Sequence, residues 1–139
     1  NLAPFSYFNA VGDDPPHVMF STVHSNNLNK DTLNNVLETK QFVVNMVTED
    51  LVEQMNLTSQ PIAANESEFE LAGLTPIASS LIKPPRVKEC KITMECEMVH
   101  HYKLENSKTA HLVAGTAGAK ISELLNTANV DLIITKQKY

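Results

Sequence analysis

Residues Lys91–Val99 read KITMECEMV, and the fold follows from their alternation. Ile92, Met94, Cys96 and Met98 fall on one side of an extended chain; Lys91, Thr93, Glu95 and Glu97 fall on the other. That period of two predicts a strand with one core face and one wet face. Upstream, Pro84-Pro85 breaks the chain, and Pro61 to Pro76 reads as mostly irregular. Within that stretch Ser67-Glu68-Phe69-Glu70 has capping-box spacing, and Gly73 is a natural stop for one short turn of helix. Phe42–Val47 (FVVNMV) is nearly continuous in apolar residues, which predicts a strand buried on both faces. Two short helices flank it. One carries Leu33, Val36 and Leu37 as a stripe, with Asn29 or Asp31 as its cap; the other is capped by Thr48, with Glu49 and Asp50 in its first turn and Leu51, Val52 and Met55 as its stripe. Nearer the start, Asp13-Asp14-Pro15-Pro16 reads as a turn, His17–Val23 as a strand and Ser25–Asn29 as a loop. Past His111 the pattern weakens to a strand at His111–Ala114 and a helical turn at Ile121–Leu125. No Gly-rich loop follows a strand, which excludes Rossmann and P-loop phosphate sites. The sum is a mainly β chain with short helices, a small barrel with helices at its periphery.

Composition limits function. The chain has 139 residues, 42% hydrophobic and 19% charged, which suits one domain over 1–139. No apolar run approaches the ~18 residues of a membrane span. No charged-then-apolar leader opens the chain at Asn1, so export is not indicated. A net charge of -5 with scattered basic residues argues against a nucleic-acid partner. On one strand, Cys90 and Cys96 would stand roughly 20 Å apart, too far to bond; two reduced thiols fit the cytoplasm. His100-His101 resembles a metal pair, but neighbours on a strand face opposite ways and no Cys or carboxylate cluster completes a tetrahedral site. No Gly-x-Ser-x-Gly elbow is present for hydrolysis.

Three stretches together resemble the flavin reductase-like family: Asn1–Ser21 (NLAPFSYFNAVGDDPPHVMFS), Lys30–Val47 (KDTLNNVLETKQFVVNMV) and Glu68–Val99, which contains EFELAGLTP and PPRVKECKITMECEM. They cover roughly half the chain. The resemblance implies a Greek-key split β-barrel, a homodimer, and FMN bound near the subunit interface. It also implies that Asn1, Ser6, Tyr7, Phe8 and Asn9 line the flavin ring, largely through backbone groups, and that Ser21 sits on a strand that reaches the cofactor. Lys30 and Thr32 would meet the phosphate, with Asp31 capping the helix that begins there. Residue chemistry is consistent with this: a cation, a hydroxyl and free amides at a helix start suit an anion, and aromatic rings suit a flat ligand.

The chain departs from the family pattern in four places. The family has a strand and a polar turn where this chain has nothing before Asn1. The loop HSNNLN carries no arginine. HLVAGTAGAKI keeps His111 and Gly115 without the family's acid. NVDLIITK is not followed by the closing R-L-G-G. The domain is therefore expected to be incomplete at both ends. Alone, Phe5, Tyr7 and Phe8 read as core packing and Lys30-Asp31-Thr32 as a solvated helix start; the ordered match turns them into cofactor contacts. The expected activity is hydride transfer from NAD(P)H to bound FMN, with no catalytic side chain and no metal. An FMN-binding electron carrier without NAD(P)H activity, and a dimerisation scaffold that has lost its flavin, are the alternatives.

Overall fold

The alternating segment becomes part of β6, Ile92–Lys103, which runs on past the expected end at Val99. A computed structural model describes residues 1–23, 30–63, 65–105, 107 and 110–121. β6 pairs along its whole length with β7, Ala110–Ile121, through one bulge between Met98 and His100. The sequence signals a strand only at His111–Ala114 here, yet the Gly- and Ala-rich run is extended throughout. Having a partner strand on each side overrides the low strand preference of those residues. Ile121, expected to begin a helical turn, is the last residue of β7; the rest of that turn lies outside the described residues.

Two more strands form an N-terminal hairpin: β1, Phe8–Asp13, and β2, Pro16–Val23, joined by the expected turn with a cis Asp14–Pro15 bond. No strand is expected at β1, because five of its six residues are exposed and an unburied strand has no apolar alternation to read. The fifth long strand is β3, Gln41–Asn45. The sheet order is β1-β2-β7-β6-β3, antiparallel throughout. Chain order is broken in the middle, where the β6–β7 hairpin lies between β2 and β3.

Its concave side holds Val18, Phe20, Phe42, Cys96, Val113 and Ala117, closed by Leu33 and Val36 from α1, Asp31–Thr39. Leu33 and Val36 are the expected stripe. Lys30 occupies the N-cap position and makes no side-chain capping bond, so Asp31 is not the cap but the first helical residue. Its carboxylate still suits the positive helix start. Asn29 and the rest of the Ser25–Asn29 loop lie outside the described residues. Among the described residues no helix is long and apolar enough to cross a membrane.

Three expectations are corrected. First, β3 is not buried on both faces: Phe42 is buried, but the other four strand residues are half-buried and Met46 and Val47 are exposed. Second, the wet face of β6 is wet only in part: Lys91 and Glu97 are exposed, but Thr93 and Glu95 are 3% and 2% exposed. The cause is residues 79–87, which fold over that face. Glu95 accepts the amides of Ser80 and Leu81 (3.0 and 2.7 Å) and pairs with Arg86 Nε at 3.4 Å. Gln41 Oε1 takes the Lys83 amide and Asn45 Oδ1 the Val87 amide, both at 3.0 Å. The segment also carries half of a two-stranded sheet, β4 (Pro76–Ile77) with β5 (Arg86–Val87). Third, the Thr48 helix begins as a 3-10 turn, Glu49–Leu51, and only then becomes α2, Val52–Leu57, with no side-chain cap from Thr48. Leu51 is buried, but Val52 is exposed rather than part of the expected stripe.

α3, Glu68–Ala72, ends as expected at Gly73, whose φ of 64° is the left-handed conformation glycine adopts without strain. Ser67 makes no side-chain capping bond. The Cys90–Cys96 expectation assumed one strand; Cys90 instead precedes β6 in a turn, and the two thiols are free and buried in separate apolar clusters.

At Gly115 on β7 the core leaves no room for a side chain. A Cβ there would stand 2.7 Å from Phe42 Cε1 and 2.8 Å from the Glu97 carbonyl oxygen. Gly115→Ala should destabilise the fold by about 1–3 kcal/mol, the cost of overpacking, read as a lowered urea midpoint. An unchanged midpoint would mean that Phe42 can move aside freely.

Candidate functional site

The N-terminal segment has little regular structure of its own, so other elements must hold it. The Leu2 amide donates to the buried Glu68 carboxylate on α3 (3.1 Å). Asn1 Nδ2 donates to Thr32 Oγ1 on α1 (2.9 Å), and Asn1 Oδ1 accepts from Asn35 Nδ2 (3.1 Å). At the other end, the Ser21 amide donates to the Tyr7 carbonyl (2.9 Å). Fixed at both ends, residues 1–8 roof a cavity of about 410 Å³, within the range of small-molecule sites.

The outer half of the cavity is aromatic. Phe5 packs on Phe20 with ring centroids 5.0 Å apart, and Phe20 meets Phe42 edge-on at 5.2 Å. Lys30 Nζ stands 5.5 Å from the Phe5 ring centre, in cation–π range. Just beyond is the start of α1. Its first helical hydrogen bonds come from the Leu33 and Asn34 amides, both to the Lys30 carbonyl. The amides of Asp31 and Thr32 therefore point out of the helix start, as in any α-helix. The Thr32 hydroxyl lines the cavity at this helix start, and the Lys30 ammonium lies over the Phe5 ring of its wall. The inner half runs beneath the end of β3 to Leu51, Gln54, Met55, Leu74 and Cys90.

The nine residues expected at the site divide into two groups. Asn1, Ser6, Phe8 and Thr32 line the cavity; Lys30 adjoins it through Phe5, and Asp31 sits exposed at the helix start. Tyr7, Asn9 and Ser21 lie outside the cavity lining. Register gives the reason for Asn9 and Ser21. Phe8 pairs with Phe20, which is core, so Asn9 and Ser21, one residue along, face the other side of the sheet. Tyr7 is 68% exposed. Sequence reasoning did not identify Asn35, Glu68, Phe20 or Phe42 as parts of the site. Asn35 was within reach, because it lies three residues after Thr32 and so shares its helix face. Glu68 was not, because its partner is a backbone amide 66 residues away.

Comparisons with known proteins agree on one family. The flavin reductase like domain matches residues 1–128. An uncharacterized protein of Aquifex aeolicus (strain VF5) is 46% identical over 118 residues, covering 84% of this chain and 59% of its own length. This chain therefore spans about three fifths of that relative. Among solved structures, nitrilotriacetate monooxygenase component B from Bacillus cereus is 38% identical with a TM-score of 0.81, over 88% of this chain and 63% of that one. A split-barrel protein from Shewanella frigidimarina NCIMB 400 is 27% identical with a TM-score of 0.79, over 88% and 60%. The fold is that split barrel.

Among the described residues Cys90 is the thiol that lines the cavity, and its surroundings keep it inert. Burial pushes its thiol up to about 11, helped by the charges of Glu89 and Asp50; burial pushes Cys96 up to about 12. Both stay protonated at pH 8, and the thiolate is the reactive form. A disulfide-exchange reagent should label neither in the folded protein at pH 8 and both in denaturant. Rapid labelling of native Cys90 would contradict the burial.

Proposed function

Because the chain belongs to the flavin reductase-like family, we propose that it binds FMN and catalyses hydride transfer to it from NADH or NADPH. One observation carries this reading: the Lys30 ammonium stands over the Phe5 ring, and Phe5 and Thr32, at the start of α1, line one aromatic cavity. The donor set fits the group. Phosphate needs a cation and several N–H or O–H donors, and an isoalloxazine needs flat apolar surface with polar groups at one edge. When bound, the flavin supplies the redox chemistry itself. The chain supplies position. Lys30 neutralises phosphate charge, Thr32 donates to it, and Phe5 and Phe8 hold the ring while the backbone of Ser6–Asn9 meets its polar edge. No side chain need move a proton, in keeping with the lack of an acid–base pair among the lining residues.

A second copy completes the proposal. Tyr7, Asn9 and Ser21 stand outside the cavity, and on the same side of the sheet Tyr102 lies opposite Leu112, which lies opposite Ser21. Tyr7 and Tyr102 are 68% and 57% exposed. Aromatic surface of this kind is what a partner covers. A homodimer through this face would bring Tyr7, Asn9 and Ser21 against the flavin of a shared site. The two free, buried thiols fit a cytoplasmic protein.

Mixed with FMN, the protein should show a bound-flavin absorbance band that bleaches on anaerobic addition of NADH or NADPH. A band that persists would make the protein an electron carrier, and no band would leave a scaffold without its cofactor. Lys30→Ala should raise the FMN dissociation constant about tenfold, the worth of one charge-assisted bond, and leave riboflavin binding unchanged.

A further inference from the structure

Asn35, Asn1 and Thr32 form a hydrogen-bond chain with a direction. Asn35 Nδ2 donates to Asn1 Oδ1 at 3.1 Å, and Asn1 Nδ2 donates to Thr32 Oγ1 at 2.9 Å. A hydroxyl has one proton and two lone pairs. With Asn1 on a lone pair, the Thr32 proton must find its acceptor elsewhere. Thr32 is the second residue of α1, so no earlier helical turn offers it a carbonyl, and the Lys30 carbonyl already accepts from Leu33 and Asn34. Among the described residues no acceptor takes that proton. Asn1 and Thr32 both line the cavity.

We infer that Asn35 is a positioning residue: it fixes the amide of Asn1, which in turn keeps the Thr32 hydroxyl a donor toward an anionic oxygen of the ligand. Asn35 is exposed on the helix and does not line the cavity, so it acts only through Asn1. The inference rests on the flavin reading, in which that oxygen belongs to the FMN phosphate. Direction is the distinguishing property. An aspartate at 35 only accepts, so Asn1 would turn its Nδ2 toward position 35 and its Oδ1 toward Thr32. The hydroxyl would then spend its proton on Asn1, and the ligand would face a lone pair.

The test is a set of dissociation constants for FMN and for riboflavin, which lacks the phosphate, on wild type, Asn35→Ala, Asn35→Asp, Thr32→Ala and the Asn35→Ala/Thr32→Ala double variant. Each single variant should weaken FMN about tenfold or more, one hydrogen bond to a charged group, with riboflavin changed less than twofold. The double variant should bind FMN no more weakly than Thr32→Ala, because both act through one hydroxyl. Thermal melts check folding, and the FMN-to-riboflavin ratio is a readout that general loosening of the helix would not move. Wild-type FMN affinity in Asn35→Asp, or losses that add in the double variant, would overturn this inference and leave the flavin reading intact. Wild type that binds no FMN would overturn both.

Discussion

The approach of the Phe42 ring to the bare backbone of Gly115 is the constraint on which the site depends. Because β7 carries no side chain there, the ring settles against the middle of the sheet. Phe20 meets it edge-on, Phe5 packs tilted against Phe20, and Lys30 stands over Phe5. One contact deep in the sheet thus sets, through three rings, where a cation lies at the surface. Each step is short, and ring pairs at these distances add specific geometry to the apolar area they bury. The Lys30 end of the cavity is thus linked by ring contacts to the place where Phe42 meets the backbone of β7.

A second set of constraints is polar. Glu95, Gln41 and Asn45 bind the amides of residues 79–87, and Glu68 binds the amide of Leu2. In every case a side-chain oxygen satisfies backbone that no sheet or helix claims. A buried carboxylate without partners would cost several kcal/mol. With two amides and Arg86 around it, Glu95 instead fastens an irregular segment across the second face of the sheet. The roof and the floor of the molecule are loops, held by oxygen atoms on regular elements.

Much of this could be read from the sequence. The alternation at Lys91–Val99, the Leu33–Val36 stripe, the Asp13–Pro16 turn and the Gly73 stop each follow from local rules, and each has its expected counterpart. What could not be read was decided by partners distant in sequence. β1 has too little burial to alternate. The small-residue run of β7 is a strand because β2 and β6 flank it. Thr93 and Glu95 are buried by a segment that only tertiary folding brings over them. The same division holds in the site. Thr32 and Phe8 line the cavity and Lys30 adjoins it, whereas Asn9 and Ser21 lie on the other side of the sheet through a register that leaves no mark in the sequence.

The strand order carries a consequence for how the chain acquires its shape. β2 and β3 are made early, yet neither has its inner neighbour until the hairpin of residues 92–121 inserts between them. Those closures span about 50 to 100 residues, and their entropy must be lost before the contacts repay it. While it is being made, the chain therefore emerges with two open strand edges and an aromatic cluster missing its floor. It must wait for the 92–121 hairpin, and during that wait it presents the surfaces that chaperones hold.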